Sequence, residues 1–336
     1  MTCDGRLPEL LMRADASGQI GFGHLVRTCA MAGNMRHNFR CRIYSWDSTG
    51  APLSDWARQQ AADAGAEISA IEASTMQEAD RAFIDILDAS PEPPLTVLDN
   101  YYFQADYQRE VRRRSKALIC LDDMHDRHFV ADLLISFVPL PRSLFSMDRH
   151  TQFLSGFRYA SLREPFMRPR RNLPRGSVVV AMGGADPLGL TDRIVPMLRK
   201  AMPEPVIEIV AGAGVRIGSA IDGLYRTVVH RNLNAGEMAA LFDHAMLGVF
   251  PASTICLEAF SRQCPVAAGF FTGNQLDFYR TGVDQGLFIP LGDLRTTDLS
   301  PLRNLSALPS ADNLPDFQAG RNELISQFRR LVGSEM

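Results

Sequence analysis

The strongest constraint on this chain is an alternation of short apolar runs with helical stretches, which halts at a break rich in proline and arginine and then begins again. Leu10–Arg13 reads as a first strand, His24–His37 as a helix, Cys41–Trp46 as a strand, and Trp56–Ala64 and Met76–Leu87 as helices. Thr96–Leu98, Leu118–Leu121 and Leu133–Ile135 follow. Each is an apolar run that closes on Asp or Ser, the pattern of a parallel strand buried on both faces. Between Phe166 and Gly176 stand two prolines and four arginines without any period, which reads as a surface linker. The alternation then restarts with Ser177–Met182 and helix Leu190–Met202, and runs on through Val266–Phe271. This predicts an α/β protein of two doubly wound, Rossmann-like domains, residues 1–170 and 171–336, with a ligand cleft between the carboxyl ends of their sheets. A last amphipathic helix, 316–332, must pack on something, and a return to the first domain is one option that the sequence does not decide.

Composition narrows the class. At 336 residues the chain is long enough for two cores, and 46% hydrophobic with 22% charged residues is ordinary for a globular protein. A net charge of -3 argues against a general nucleic-acid binder. No run approaches the roughly 18 apolar residues of a membrane span, and the first residues lack a secretory pattern. Six cysteines form no C-x-x-C pair and sit mostly in apolar runs, so buried free thiols in a reducing cytoplasm are expected.

Three strand-to-helix loops carry candidate chemistry. The first runs from Arg13 and Asp15 through Gly21 and Gly23 to His24 at a helix start. Glycines permit close backbone approach, and the helix N-terminus suits an anion and favours a neutral imidazole able to accept a proton. A plain turn followed by a histidine is the bland alternative. The second loop, Met182–Pro187, repeats the cradle with Gly183, Gly184 and Asp186, although Asp186 could equally cap the next helix. In the third, Ser253 and Thr254 can offer hydroxyls and N–H groups to a phosphate, and Glu258, one turn on, can accept two hydrogen bonds from vicinal hydroxyls. The alternative for Glu258 is a solvated helix position. Asn274 and Gln275 follow a glycine further along, and Asp99-Asn100-Tyr101, ending another strand, is expected to line the cleft, with a structural turn as the alternative. The run Asp122–His128 superficially resembles a metal site, but strand-end loops gather such residues routinely, and no metal is expected.

Taken in order, these pieces resemble the PseG-type UDP-sugar hydrolases of pseudaminic acid biosynthesis, relatives of the MurG-like GT-B glycosyltransferases. The matching segments are Arg13–Arg27, Asp99–Tyr101, Asp122–Arg127, Gly156–Phe166, Gly183–Asp186, and Glu258 with Asn274-Gln275. The resemblance implies a GT-B fold with UDP held mainly by the C-terminal domain. It also implies hydrolysis of UDP-2,4-diacetamido-2,4,6-trideoxy-β-L-altropyranose to the free sugar and UDP, without a cofactor or metal. His24 matches the catalytic histidine, and Tyr101 the tyrosine near the sugar and the catalytic water. Glu258 matches the ribose-binding position, and Asn274 an asparagine near the diphosphate. The chain departs from the pattern at Asn100, where a histidine is expected. A UDP-sugar substrate is the partner that the resemblance implies; the sequence leaves the oligomeric state open, a monomer being one option. A glycosyltransferase on the same fold and a non-catalytic nucleotide-sugar binder are the competing readings. The first would need an acceptor patch, which Ala51–Ala64 does not clearly supply, and an intact His24 with both glycine loops argues against the second.

Overall fold

The computed structural model describes residues 7–17, 22–184, 186–212, 215–303 and 313–333. Gly21, one of the expected site residues, lies outside them. The chain divides into two compact units, Met1–Glu164 together with Asp316–Met336, and Pro165–Pro315.

In the first unit β1 (Glu9–Arg13), α1 (Gly23–Met35), β2 (Arg40–Ser45), α2 (Asp55–Ala64), β3 (Glu67–Ala70) and α3 (Met76–Asp88) lead to β4 (Leu95–Asp99), α4 (Ala105–Arg114) and β5 (Ala117–Leu121). A short pair, β6 (His128–Phe129) and β8 (Ser146–Met147), interleaves with β7 (Leu133–Ser136), and β9 (Gln152–Ser155) closes the unit. The main sheet is parallel throughout, in the order β3-β2-β1-β4-β5-β7-β9. Every residue of β4, β5 and β7 is buried, in keeping with their mostly apolar sequences, and the polar Thr96, Asp99 and Ser136 are buried with them. Leu11, Phe83, Leu98, Leu118 and Leu134 belong to one core.

The second unit begins in α5 (Glu164–Met167) and continues with β10 (Ser177–Val180), α6 (Leu190–Ala201), β11 (Val206–Ala211), β12 (Thr227–Arg231) and α7 (Ala235–His244). It ends with β13 (Ala245–Pro251), α8 (Thr254–Ser261), β14 (Val266–Phe270), α9 (Leu276–Asp284) and β15 (Ile289–Asp293). Its sheet, β12-β11-β10-β13-β14-β15, is again wholly parallel. Val178, Val180, Ile194, Ile207, Leu247 and Val249 fill its core. Both sheets therefore grow outward in two directions from a central strand. Parallel neighbours need crossover connections, and helices in the chain supply them.

The Pro/Arg-rich break is less of a free linker than its composition suggests. Phe166 is buried and packs on Phe242, and the buried Arg262–Asp243 pair donates from Arg262 to the carbonyls of Arg168 and Pro169. Helix α10 (Phe317–Leu331), capped by Asp316, belongs to the first unit. Phe328 meets Phe39 edge-on, and Gly320 lies so close to the Arg158 carbonyl that a Cβ would come within 1.9 Å of its oxygen. Five described cysteines are buried and free, and burial pushes Cys29, Cys41, Cys256 and Cys264 up to about 12. No described helix is long and apolar enough to cross a membrane.

Candidate functional site

Each sheet has one point where the winding reverses, between β1 and β4 in the first unit and between β10 and β13 in the second. The loops leaving the two central strands part there, which is where open α/β sheets bind ligands. Most of the described sequence-predicted residues follow the strands at these two points, whereas Asn274 and Gln275 follow β14, one strand further out.

In the first unit, His24 opens α1 and Asp99 ends β4. Both are buried, and His24 Nδ1 lies 2.8 Å from Asp99 Oδ1. Arg27, one turn along α1, donates through Nε to both Asp99 oxygens at 2.9 and 2.7 Å and through Nη1 to Asp123 Oδ2 at 2.6 Å. Thr28 Oγ1 donates to Asp99 at 3.0 Å. Burial alone would raise the Asp99 pKa, but Arg27 and His24 outweigh it and hold the carboxyl at about 2. An ionised Asp99 only accepts hydrogen bonds, so His24 donates through Nδ1–H. That leaves Nε2 as the basic nitrogen, and among the described residues it has no hydrogen-bond partner. Asp99 thus fixes both tautomer and ring orientation. The Tyr101 ring stands edge-on to His24, centroids 4.4 Å apart. Arg127 positions Tyr101 by donating to its carbonyl at 2.6 Å and to that of Asn100 at 3.3 Å.

That Asp99 and Arg27 pair with His24 is not evident from composition. The available signal was a carboxylate ending a largely apolar run, with an arginine one helical turn beyond the histidine. Asn100, where the family resemblance expects histidine, folds inward: its amide donates to the Asp15 carbonyl and the Tyr102 hydroxyl, both at 3.2 Å. The metal-like run is a turn built on Asp122, which accepts from the N–H groups of Met124 and His125 and from Arg127.

Arg13 and Asp15 are fully buried and hold one another at 2.9 Å. Arg13 also donates to Asp80 and to the Tyr107 hydroxyl, among the rings of Phe83, Phe103 and Tyr107. Asp15 accepts from the Trp46 N–H and the Tyr102 hydroxyl. The pair ties the segment after β1 to β2 and to the turn after β4.

In the second unit, Gly183 and Gly184 follow β10 with open space where side chains would stand, and Gly183 has φ +93°, a region only glycine adopts cheaply. Behind them Gly212 packs so closely that a Cβ would come within 2.4 Å of the Gly184 oxygen, a requirement the motif reading did not include. The Asp186 carboxylate accepts from the N–H groups of Leu190 and Thr191, both at 2.8 Å, so it caps α6. Across the reversal point Ser253 precedes α8 and gives no side-chain cap to it, and Thr254 is exposed. Glu258 is 8% exposed, which removes the solvated-helix alternative. Asn274 is exposed and accepts from the Thr272 hydroxyl, while the Gln275 carbonyl oxygen accepts from the Phe271 N–H.

No protein-family model and no curated protein sequence matches the chain significantly. Solved structures do match it. Acinetobacter baumannii MurG is 11% identical, with 97% of this chain and 100% of that one covered and a TM-score of 0.58. Arabidopsis thaliana UGT89C1 complexed with UDP-L-rhamnose is 10% identical, with 96% and 99% covered and a TM-score of 0.64. A putative UDP-N-acetylglucosamine 2-epimerase from Listeria monocytogenes is 11% identical, with 98% of each chain covered and a TM-score of 0.61. This chain has the GT-B fold. At such identities the GT-B likeness fixes the architecture of two Rossmann-like domains and leaves the reaction to be argued from the residues.

Proposed function

We propose that this GT-B protein hydrolyses a UDP-linked 2,4-diacetamido-2,4,6-trideoxy sugar to the free sugar and UDP, in pseudaminic acid biosynthesis. The observation that carries the reading is the His24–Asp99 pair, which leaves Nε2 of a helix-terminal histidine as the basic nitrogen at the reversal point. The ordered resemblance to PseG-type hydrolases supports it, as do neighbours of the same fold whose names include UDP-L-rhamnose and UDP-N-acetylglucosamine.

Water attacks the anomeric carbon while its proton passes to His24 Nε2, a contribution typically of about 10²–10⁴-fold. The bond from the anomeric carbon to the glycosidic oxygen breaks, and its electron pair leaves with UDP. Backbone N–H groups at Gly183, Gly184, Ser253 and Thr254 meet the diphosphate charge. Glu258 accepts from the ribose hydroxyls, Asn274 and Gln275 stand by the diphosphate and sugar, and Tyr101 flanks the reacting centre. Asp186, Arg13 and Asp15 act through the loops they hold. A single displacement without a covalent nucleophile inverts the anomeric configuration. The enzyme acts in the cytoplasm, as a monomer, without metal or cofactor.

The experiment is incubation with the UDP-diacetamido-trideoxy sugar in the absence of any acceptor, followed by mass spectrometry. Stoichiometric UDP and free sugar are expected. UDP release that requires an added acceptor would replace hydrolysis by glycosyl transfer.

A further inference from the structure

Two large aromatic side chains stand exposed beside the histidine helix. Phe22 is 43% and Trp56 39% exposed, and their rings meet edge to face with centroids 5.3 Å apart. Phe22 is the residue from which α1 starts, two positions before His24. Trp56 is in the first turn of α2, whose N-terminus Ser54 caps by accepting from the Ala57 N–H. Helices α1 and α2 follow the adjacent parallel strands β1 and β2, so both helix starts lie at the carboxyl edge of the sheet, the edge that also carries Asp99. Trp46, the other tryptophan of the chain, is buried and donates its indole N–H to the Ala73 carbonyl, whereas the Trp56 N–H has no partner among the described residues. Exposed aromatic area in contact with water is costly. A free indole donor makes Trp56 suited to a ligand with both apolar and acceptor groups.

We propose that Phe22 and Trp56 form the face that recognises the sugar, packing against its methyl-bearing groups while the Trp56 N–H donates to an acetamido carbonyl. This rests on the reading of the site as one for a UDP-diacetamido-trideoxy sugar, whose deoxy methyl and two acetamido methyls set it apart from a common hydroxylated hexose. The pair would then select the sugar, leaving UDP affinity to other residues.

The two tryptophans allow a test that does not depend on turnover. Stopped-flow fluorescence of the wild type is followed on mixing with the UDP-diacetamido-trideoxy sugar, with UDP-N-acetylglucosamine and with UDP, and Trp56→Phe serves as the blank. A change in emission with the first sugar, weaker with the second, absent with UDP and absent in Trp56→Phe, is expected. Trp56→Ala and Phe22→Ala should each raise KM for that sugar about tenfold or more while the inhibition constant of UDP stays within about twofold. A Trp56 signal without sugar release would leave this inference standing and remove the hydrolase reading. Turnover with no Trp56 signal, or unchanged KM in both alanine variants, would overturn the inference and leave the hydrolase reading intact. Absence of both signal and turnover overturns the two together.

Discussion

The two reversal points occupy the same place in two sheets of the same winding, yet they are furnished differently. At β1 and β4 the structure concentrates titratable and charged side chains: His24, Asp99, Arg27 and Asp123 form one hydrogen-bonded group with Asp99 buried at its centre. At β10 and β13 it presents two glycines with open space before them, a serine and a threonine at a helix start, and two buried carboxylates, Asp186 before α6 and Glu258 in α8. A preorganised ionic cluster fixes the position of a proton acceptor, whereas bare backbone accommodates an anion by N–H groups and close approach. On the function proposed above, the difference separates a unit for proton transfer from one for holding the nucleotide.

The separation predicts effects that divide by unit. The largest is for His24→Ala, which should lower kcat by about 10²–10⁴-fold while UDP affinity, measured by calorimetry, and melting temperature stay near wild type. Loss of UDP affinity in step with kcat would collapse the distinction. Asp99→Ala leaves Arg27 buried with Asp123 as its remaining ionic partner and should cost about 3–5 kcal/mol in denaturant unfolding, besides the loss of activity.

The same carboxylate sets a pH dependence. Its folded pKa of about 2 lies below the ordinary 3.8, so the stability it contributes is full above pH 3.8 and is lost as pH falls through about 2. Acid unfolding of Asp99→Asn should therefore show a flatter limb between pH 4 and 2 than the wild type. A limb of equal slope would place the acid-sensitive group elsewhere.

In the second unit Glu258→Ala should weaken UDP binding by about 1.5–3 kcal/mol, the worth of charged hydrogen bonds, and slow the chemical step less than it weakens binding. Equal UDP affinity in calorimetry would remove Glu258 from the ribose. Smallest is Gly183→Ala. No atom lies within 4 Å of the added Cβ, so the cost is that of the backbone conformation alone, about 1–2 kcal/mol by analogy with the left-handed region, read as a lowered melting temperature.

Much of the fold was legible because strands buried on both faces are mostly apolar, as β5 is throughout and as β4 and β7 are apart from Thr96, Asp99 and Ser136. Elements without that requirement were hidden. Helix α4 buries only Gln108 and Val111 and carries its charge in pairs such as Asp106–Arg109 and Glu110–Arg114, so it shows no apolar stripe. The edge strand β15 contains Pro290 and Gly292, tolerated where, among the described residues, β14 alone pairs with it. At the sites, glycines and His24 could be read from loop position. The role of Asp99 could not, because it depends on β4 lying beside β1, a neighbour relation between residues 75 apart in sequence. The inward turn of Asp15 had the same origin, since its partners Trp46 and Tyr102 come from other loops.

Hydrolysis at the anomeric carbon, with His24 as the base and an intact UDP departing, is the claim on which the division of labour rests. Attack at phosphorus would normally call for a metal clamp or several converging cations. The second-unit reversal point instead pairs glycines with hydroxyl residues. Running the reaction in ¹⁸O-labelled water and weighing both products tests the claim directly. The label should appear in the free sugar and not in UDP; label in UDP would mean attack at phosphorus and would contradict the role given to His24.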